Sequence, residues 1–252
     1  MADLQELSRT AIAFSEYRPS GDPPVETLAQ LDGGILRSIR GLNVNCRLPS
    51  KESHFGYVGQ GRLHIVDDRE HGIVIEAGWC FSVPGQTNLW LAGVCEAIVV
   101  SKPKHMSYFG AARVEDQGRL KYINGCTDSL LISPVKLGDP CLNLLYFPAH
   151  TDQTMHTHPS DRIGMVLSGS GVCVTEDDRG YLETPLVTGM LFCIHAGGRH
   201  KFATQNVPMR VLAYHPDSDF GPTDETHPMI NRTMVGGVSA SQLTELHTRN
   251  GQ

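Results

Sequence analysis

Short apolar runs broken by turn residues recur along the whole chain. RLHIV, GIVIEA, WCFSV, EAIVV, LNLLYF, GMVLS, GVCVT, MLFCI and MRVLAY are each of strand length and rich in Val, Ile, Leu, Phe and Tyr, with Gly and Pro spread between them. This spacing predicts an all-β sandwich or barrel with few short helices. Two segments read as helices instead. One is ETLAQLDGGILRSI near the N-terminus. The other is SASQLTELHTRNG near the end, where Ser239 or Ser241 caps the start and Asn250-Gly251 marks the stop.

The pattern also repeats. GQGRLHIVDDR (59–69) and GSGVCVTEDDR (169–179) share G-x-G, five residues, then D-D-R, at an offset of 110. GWCFSVPG (78–85) faces GMLFCIHAG (189–197) at 111, and FGYV (55–58) faces IGMV (163–166) at 108. Three matched segments in one order at a near-constant offset indicate two related β-domains, 35–105 and 140–218. A connector (106–139) joins them, and an N-terminal extension (1–34) and a C-terminal segment (219–252) flank them. The glycines themselves read as tight hairpin turns.

Composition narrows the function classes. The 252 residues are 40% hydrophobic, enough for a substantial core, and carry a net charge of −6 with 21 basic residues in no cluster. Nucleic acid and anionic membrane are therefore not expected partners. The first residues, MADLQELSRTAIAF, lack the pattern of a signal peptide, and the apolar run LWLAGVCEAIVV is too short to span a membrane. The seven scattered cysteines read as buried reduced thiols, and a cytoplasmic location is expected.

The candidate chemistry is concentrated in the second copy. In a strand, residues two apart share a face, so His156 and His158 would project into one lumen. Neutral imidazoles suit iron, zinc, copper, nickel and, less well, manganese.

The spacing His156-x-His158, three residues, position 162, six residues, Gly169 is similar to the first cupin motif. Gly189, five residues, position 195, one residue, Gly197, two residues, His200 resembles the second. The resemblance implies two cupin-type barrels (double-stranded β-helix or jelly roll), a bicupin, with His156, His158 and His200 binding one divalent metal ion in the second barrel. Four positions depart from the family pattern: His150 stands for a glycine, Arg162 for the glutamate ligand, His195 for a proline and Thr204 for an asparagine. Arginine has no lone pair to offer, so it cannot ligate. Asp161 beside it should face away unless a bulge turns it inward. A three-histidine site is the plainer result.

Within the family, three-histidine iron centres resemble thiol, diketone and gentisate-type dioxygenases. The resemblance therefore implies a mononuclear non-haem iron(II) dioxygenase or oxygenase acting on a small organic acid, with Fe(II) favoured over Zn, Ni, Mn or Cu. The alternatives are a non-redox isomerase, lyase or hydrolase, and a small-molecule sensor without turnover. Arg162 would hold a substrate carboxylate or enolate, or else form an ion pair with Asp161, Asp152 or Glu183. His150 is a candidate substrate contact and His195 a candidate acid/base; for both, a solvated loop histidine is the plainer reading.

The first copy places Cys46, Leu48 and Leu89 at the ligand positions and Glu52 opposite Arg162, which makes no metal set. His54 and His64 have no partner at ligand spacing. A structural or dimerising role is expected for this copy, and a homodimer for the protein. The connector, with Tyr108, Tyr122, Cys126 and Asp128, walls the substrate pocket or serves as a spacer. The stretch 215–233, with His227 and Arg232, forms a lid or a tail over the first domain.

Overall fold

The computed structural model describes residues 13–42, 45–49, 51–66, 72–85, 88–177 and 180–248. Among them eight strands form a first antiparallel sheet and nine a second. In chain order they are β1 (Phe14–Tyr17), β2 (Val25–Leu31), β3 (Gly34–Leu42), β4 (Asn45–Arg47), β5 (Glu52–Val66), β6 (Gly72–Glu76), β7 (Trp79–Val83), β8 (Asn88–Pro103) and β9 (Gly110–Arg113). There follow β10 (Leu120–Lys121), β11 (Thr127–Ile132), β12 (Cys141–Phe147), β13 (Arg162–Asp177), β14 (Gly180–Val187), β15 (Leu191–Ile194), β16 (His200–Ala203) and β17 (Met209–His215). Helix is confined to α1 (Pro228–Arg232) and short 3-10 turns. No helix among the described residues is long and apolar enough to cross a membrane.

Both sequence-predicted helices are corrected. ETLAQLDGGILRSI forms the hairpin β2–β3, with Leu31 opposite Gly34 and Asp32-Gly33 as its two-residue turn. Asp-Gly is a strong hairpin signal, and the pairing of β3 with β8 from Ile35 to Leu42 overrides the helical spacing of the leucines. SASQLTELHTRNG forms only two 3-10 turns, Ala240–Gln242 and Thr244–Leu246. Ser239 does cap the first, accepting the Ser241 N–H; Asn250 and Gly251 lie outside the described residues.

The repeat is structural as well as sequential. Gly56 on β5 lies opposite Phe81 on β7, and Gly164 on β13 lies opposite Phe192 on β15. A β-carbon at Gly56 would come 2.4 Å from the Phe81 ring, and one at Gly164 would come 2.3 Å from Phe192. In each copy the missing side chain is the space that the aromatic ring occupies. We expect Gly164→Ala to cost about 1–3 kcal/mol through overpacking; a thermal midpoint equal to that of the native chain would contradict this role. The same register corrects one alignment. His54 lies opposite Val83 as Arg162 lies opposite Ile194, so His54, rather than Glu52, is the counterpart of Arg162.

Each sheet borrows an edge strand from across the repeat. β1, which precedes the first copy, pairs with β15 of the second sheet. β9, which precedes the second copy, pairs with β7 of the first. The connector is therefore no spacer: β9 extends the first sheet, while β10 and β11 belong to the second. Apolar side chains fill three layers. Ile39, Val58, Phe81 and Val99 pack inside the first unit, and Phe147, Val166, Phe192 and Phe202 inside the second. Leu36, Phe55, Val100, Leu142, Ile163 and Tyr214 pack the two sheets together. All seven cysteines are free thiols, six of them buried.

Candidate metal centre

The segment around His156 and His158 is not a regular strand. Pro159 has no N–H to extend a ladder, and the segment meets the barrel through isolated antiparallel bridges, Asp152 to Ala203 and His156 to His200. The latter bridge carries both backbone hydrogen bonds, each 2.9 Å, between His156 and His200. It brings the three imidazoles together: ring centroids are 4.5 Å apart for His156 and His200, 5.0 Å for His156 and His158, and 5.1 Å for His158 and His200. One ring nitrogen of each lies within 4.8 Å of those of the others.

The hydrogen bonds fix which nitrogen faces the centre. His156 Nδ1 lies 2.8 Å from the Thr154 carbonyl, and His200 Nδ1 lies 2.9 Å from the Gly198 carbonyl. A carbonyl only accepts, so each Nδ1 carries the proton and each Nε2 keeps a lone pair. His200 Nε2 is buried without any partner. An orphaned buried acceptor is costly unless it has a ligand, and three convergent imidazoles, two of them with tautomers fixed by backbone carbonyls, are the donor set of a divalent transition metal. The residues fit the ion that the motif implies.

Burial, with a smaller push from Arg162, holds His158 down to about 3 and His215 down to about 3. Burial likewise holds His200 and His54 down to about 4. The unfolded chain then binds more protons than the folded one between about pH 4 and 6.5, so stability rises with pH through that window and is lost as pH falls. Metal-free protein is expected to unfold at a lower urea concentration at about pH 5 than at about pH 7.5; equal midpoints would contradict the burial of these rings.

His158 and His200 line a chamber of about 80 Å³ whose wall is largely apolar, with Phe192, Ile194, Phe202, Val211 and Ala213. Its neck is formed by Tyr122, Asp128, His158, Arg162 and His215, which also line an outer cleft reaching Asp217–Phe220. Arg162 points inward as its strand position predicts. Its Nη1 donates to Ser160 Oγ and to the carbonyls of Ser160 and Asp161, and lies 3.6 Å from Asp217 Oδ1, while its Nε is buried without a partner. The ion pair is with Asp217, rather than with Asp161, Asp152 or Glu183. Asp161 faces away, as alternation requires, and accepts the Ala196 N–H at 3.0 Å.

Two candidate residues fall elsewhere. His150 is an exposed turn residue at φ 62°, its N–H bonded to the Gln205 carbonyl. The family's glycine at this position meets the same left-handed backbone, and the turn breaks the alternation that would have aimed His150 inward. His195 turns to the outer face of β15, with Nε2 2.8 Å from Ser15 Oγ, and is not in the chamber wall. Tyr122 and Asp128 bring the connector into the pocket wall, and His215 is the neck residue that the sequence did not single out. Alternation Val211, Ala213, His215 along β17 is the signal for it. Asp128, whose carboxyl is raised by burial, is held by Asn143 Nδ2 at 3.0 and 2.8 Å. Of the proposed lid, Asp217–Phe220 flank the outer cleft, whereas His227 caps α1 and Arg232 ends it.

Residues 143–215, which hold all three histidines, match the cupin domain family model. No curated protein matches the sequence. In structure the chain is similar to a salicylate 1,2-dioxygenase from Pseudaminobacter salicylatoxidans, with TM-score 0.59, 10% identity and 75% of each chain covered. It is also similar to an 11S allergen from Cocos nucifera, at 0.59 and 11%, covering 82% of this chain and 90% of that one. A mutant oxalate decarboxylase from Bacillus subtilis aligns at 0.52 and 12%, covering 84% and 80%. At such identities the likeness is one of fold: a nearly all-β, cupin-type architecture.

Proposed function

We propose that this cupin-type chain is a metal-dependent enzyme whose second barrel carries a mononuclear iron(II) centre on His156, His158 and His200 and oxidises a small organic acid with dioxygen. The observation that carries the proposal is the convergence of three imidazoles, two of which, His158 and His200, line the same chamber as an arginine with an unpartnered Nε. When bound, a ferrous ion with three protein ligands offers open positions to oxygen and to a bidentate acid.

The side chains define what the chamber does for its substrate. Arg162, anchored on Nη1 by Ser160 and Asp217, offers Nε to a carboxylate at the neck. The aromatic and aliphatic wall excludes water and accepts an apolar ring or chain. His215, held neutral by burial, offers a ring nitrogen for a hydrogen bond to a substrate polar group at the neck. The first unit supports the second through the shared apolar layer and the exchanged strands. Among the structural neighbours, a salicylate dioxygenase and an oxalate decarboxylase act on small acids by their names, whereas the 11S allergen is named for no reaction, and fold alone does not set function.

Metal analysis after anaerobic purification tests the assignment. We expect about one iron per chain at the three-histidine site. Zinc held there, with no iron uptake on ferrous loading, would favour a non-redox Lewis-acid enzyme instead.

A further inference from the structure

We infer that Asp161, Cys193 and His195 form a second divalent-cation site, of the zinc class, on the outer face of the second barrel. Alternation along β13 and β15 sends Arg162, Gly164, Phe192 and Ile194 into the chamber and turns Asp161, Cys193 and His195 the opposite way. This site is therefore separate from the three-histidine centre and does not depend on the reaction proposed there.

The three side chains each present one donor atom, and these lie within 4.8 Å of one another. His195 Nδ1 is 3.8 Å from Cys193 Sγ and 3.9 Å from Asp161 Oδ1. A tetrahedral ion with bonds of about 2.3 Å to sulfur and about 2.0 Å to nitrogen and oxygen needs donor separations of roughly 3.3–3.6 Å. The two separations made by His195 exceed this by a few tenths of an ångström. The orientation is already set: His195 Nε2 lies 2.8 Å from Ser15 Oγ, an outer hydrogen bond that turns Nδ1 toward the sulfur and the carboxylate.

One sulfur, one nitrogen and one oxygen donor select zinc or cobalt over magnesium or calcium. Cys193 is fully buried and Asp161 nearly so, while the His195 side chain is 26% exposed. That exposed side admits the ion and leaves the fourth position to water. As the sulfur–metal bond forms, the Cys193 thiol proton leaves to solvent. Ser15 sits on β1, opposite Cys193 in the register. An ion here would clamp the exchanged N-terminal strand to the barrel.

Cobalt(II) titration of the full chain tests the site, because a thiolate ligand gives a near-ultraviolet sulfur-to-cobalt charge-transfer band that three histidines cannot produce. The band is expected in the native protein, to persist in His156→Ala/His158→Ala, and to vanish in Cys193→Ser. Asp161→Asn, which keeps the thiol and the fold, should weaken cobalt binding at this band by at least about tenfold. Absence of the band in the native chain, or its survival in Cys193→Ser, would overturn the proposal. So would cobalt affinity unchanged by Asp161→Asn.

Discussion

His200→Ala is expected to fold and to lose its metal. The bridge between positions 156 and 200 is made by backbone groups, so both 2.9 Å hydrogen bonds survive the truncation. What disappears is the buried Nε2 that shares the centre with His156 and His158. Removing a partner that merely orients a ligand costs 10- to 100-fold in metal affinity, so removing the ligand itself should cost more than about a hundredfold. The imidazole also packs 5.5 Å from Phe202, and its loss leaves a small cavity. Iron binding measured beside a circular dichroism spectrum separates the two effects. Metal content equal to that of the native chain would remove His200 from the ligand set.

Arg162→Ala is expected to leave the metal in place and to impair the acid substrate. Its Nε has no partner in the protein, and its Nη1 is tied to Ser160 and Asp217, an arrangement that fixes the fork while reserving one edge. A hydrogen bond to a charged group contributes about 1.5–3 kcal/mol, which corresponds to a rise in KM of about 10- to 150-fold. Asp217→Asn loosens the anchor without removing the donor, and a smaller rise is expected. If Arg162→Ala instead lowers the melting temperature and leaves KM unchanged, the residue is a structural ion-pair partner only.

The inward arginine was readable from strand alternation, and the clustering of His156, His158 and His200 from motif spacing, although the histidine pair lies on an irregular segment held by isolated bridges rather than on a strand. The matching of Gly56 with Gly164 was legible from spacing as well: they stand opposite Phe81 and Phe192, and sequence offsets preserve that. The pairing of β1 with β15 left no local mark, since pairing across about 180 residues is written in no short segment. The helix expected at 26–39 failed because the Asp32-Gly33 turn and pairing with β8 outweigh leucine spacing. His150 and His195 were misplaced by a turn and by the opposite face of a strand. Asp128 and Tyr122 entered the neck from a connector whose path only the three-dimensional structure defines.

Oxygen uptake by iron-loaded protein, across a panel of small aromatic and aliphatic carboxylates, tests the central claim most directly. The account predicts uptake matched by consumption of at least one acid, abolished in His200→Ala and restored toward native rates in Arg162→Ala only at raised substrate concentration. Stoichiometric iron at the three histidines with no oxygen consumed by any acid would contradict it.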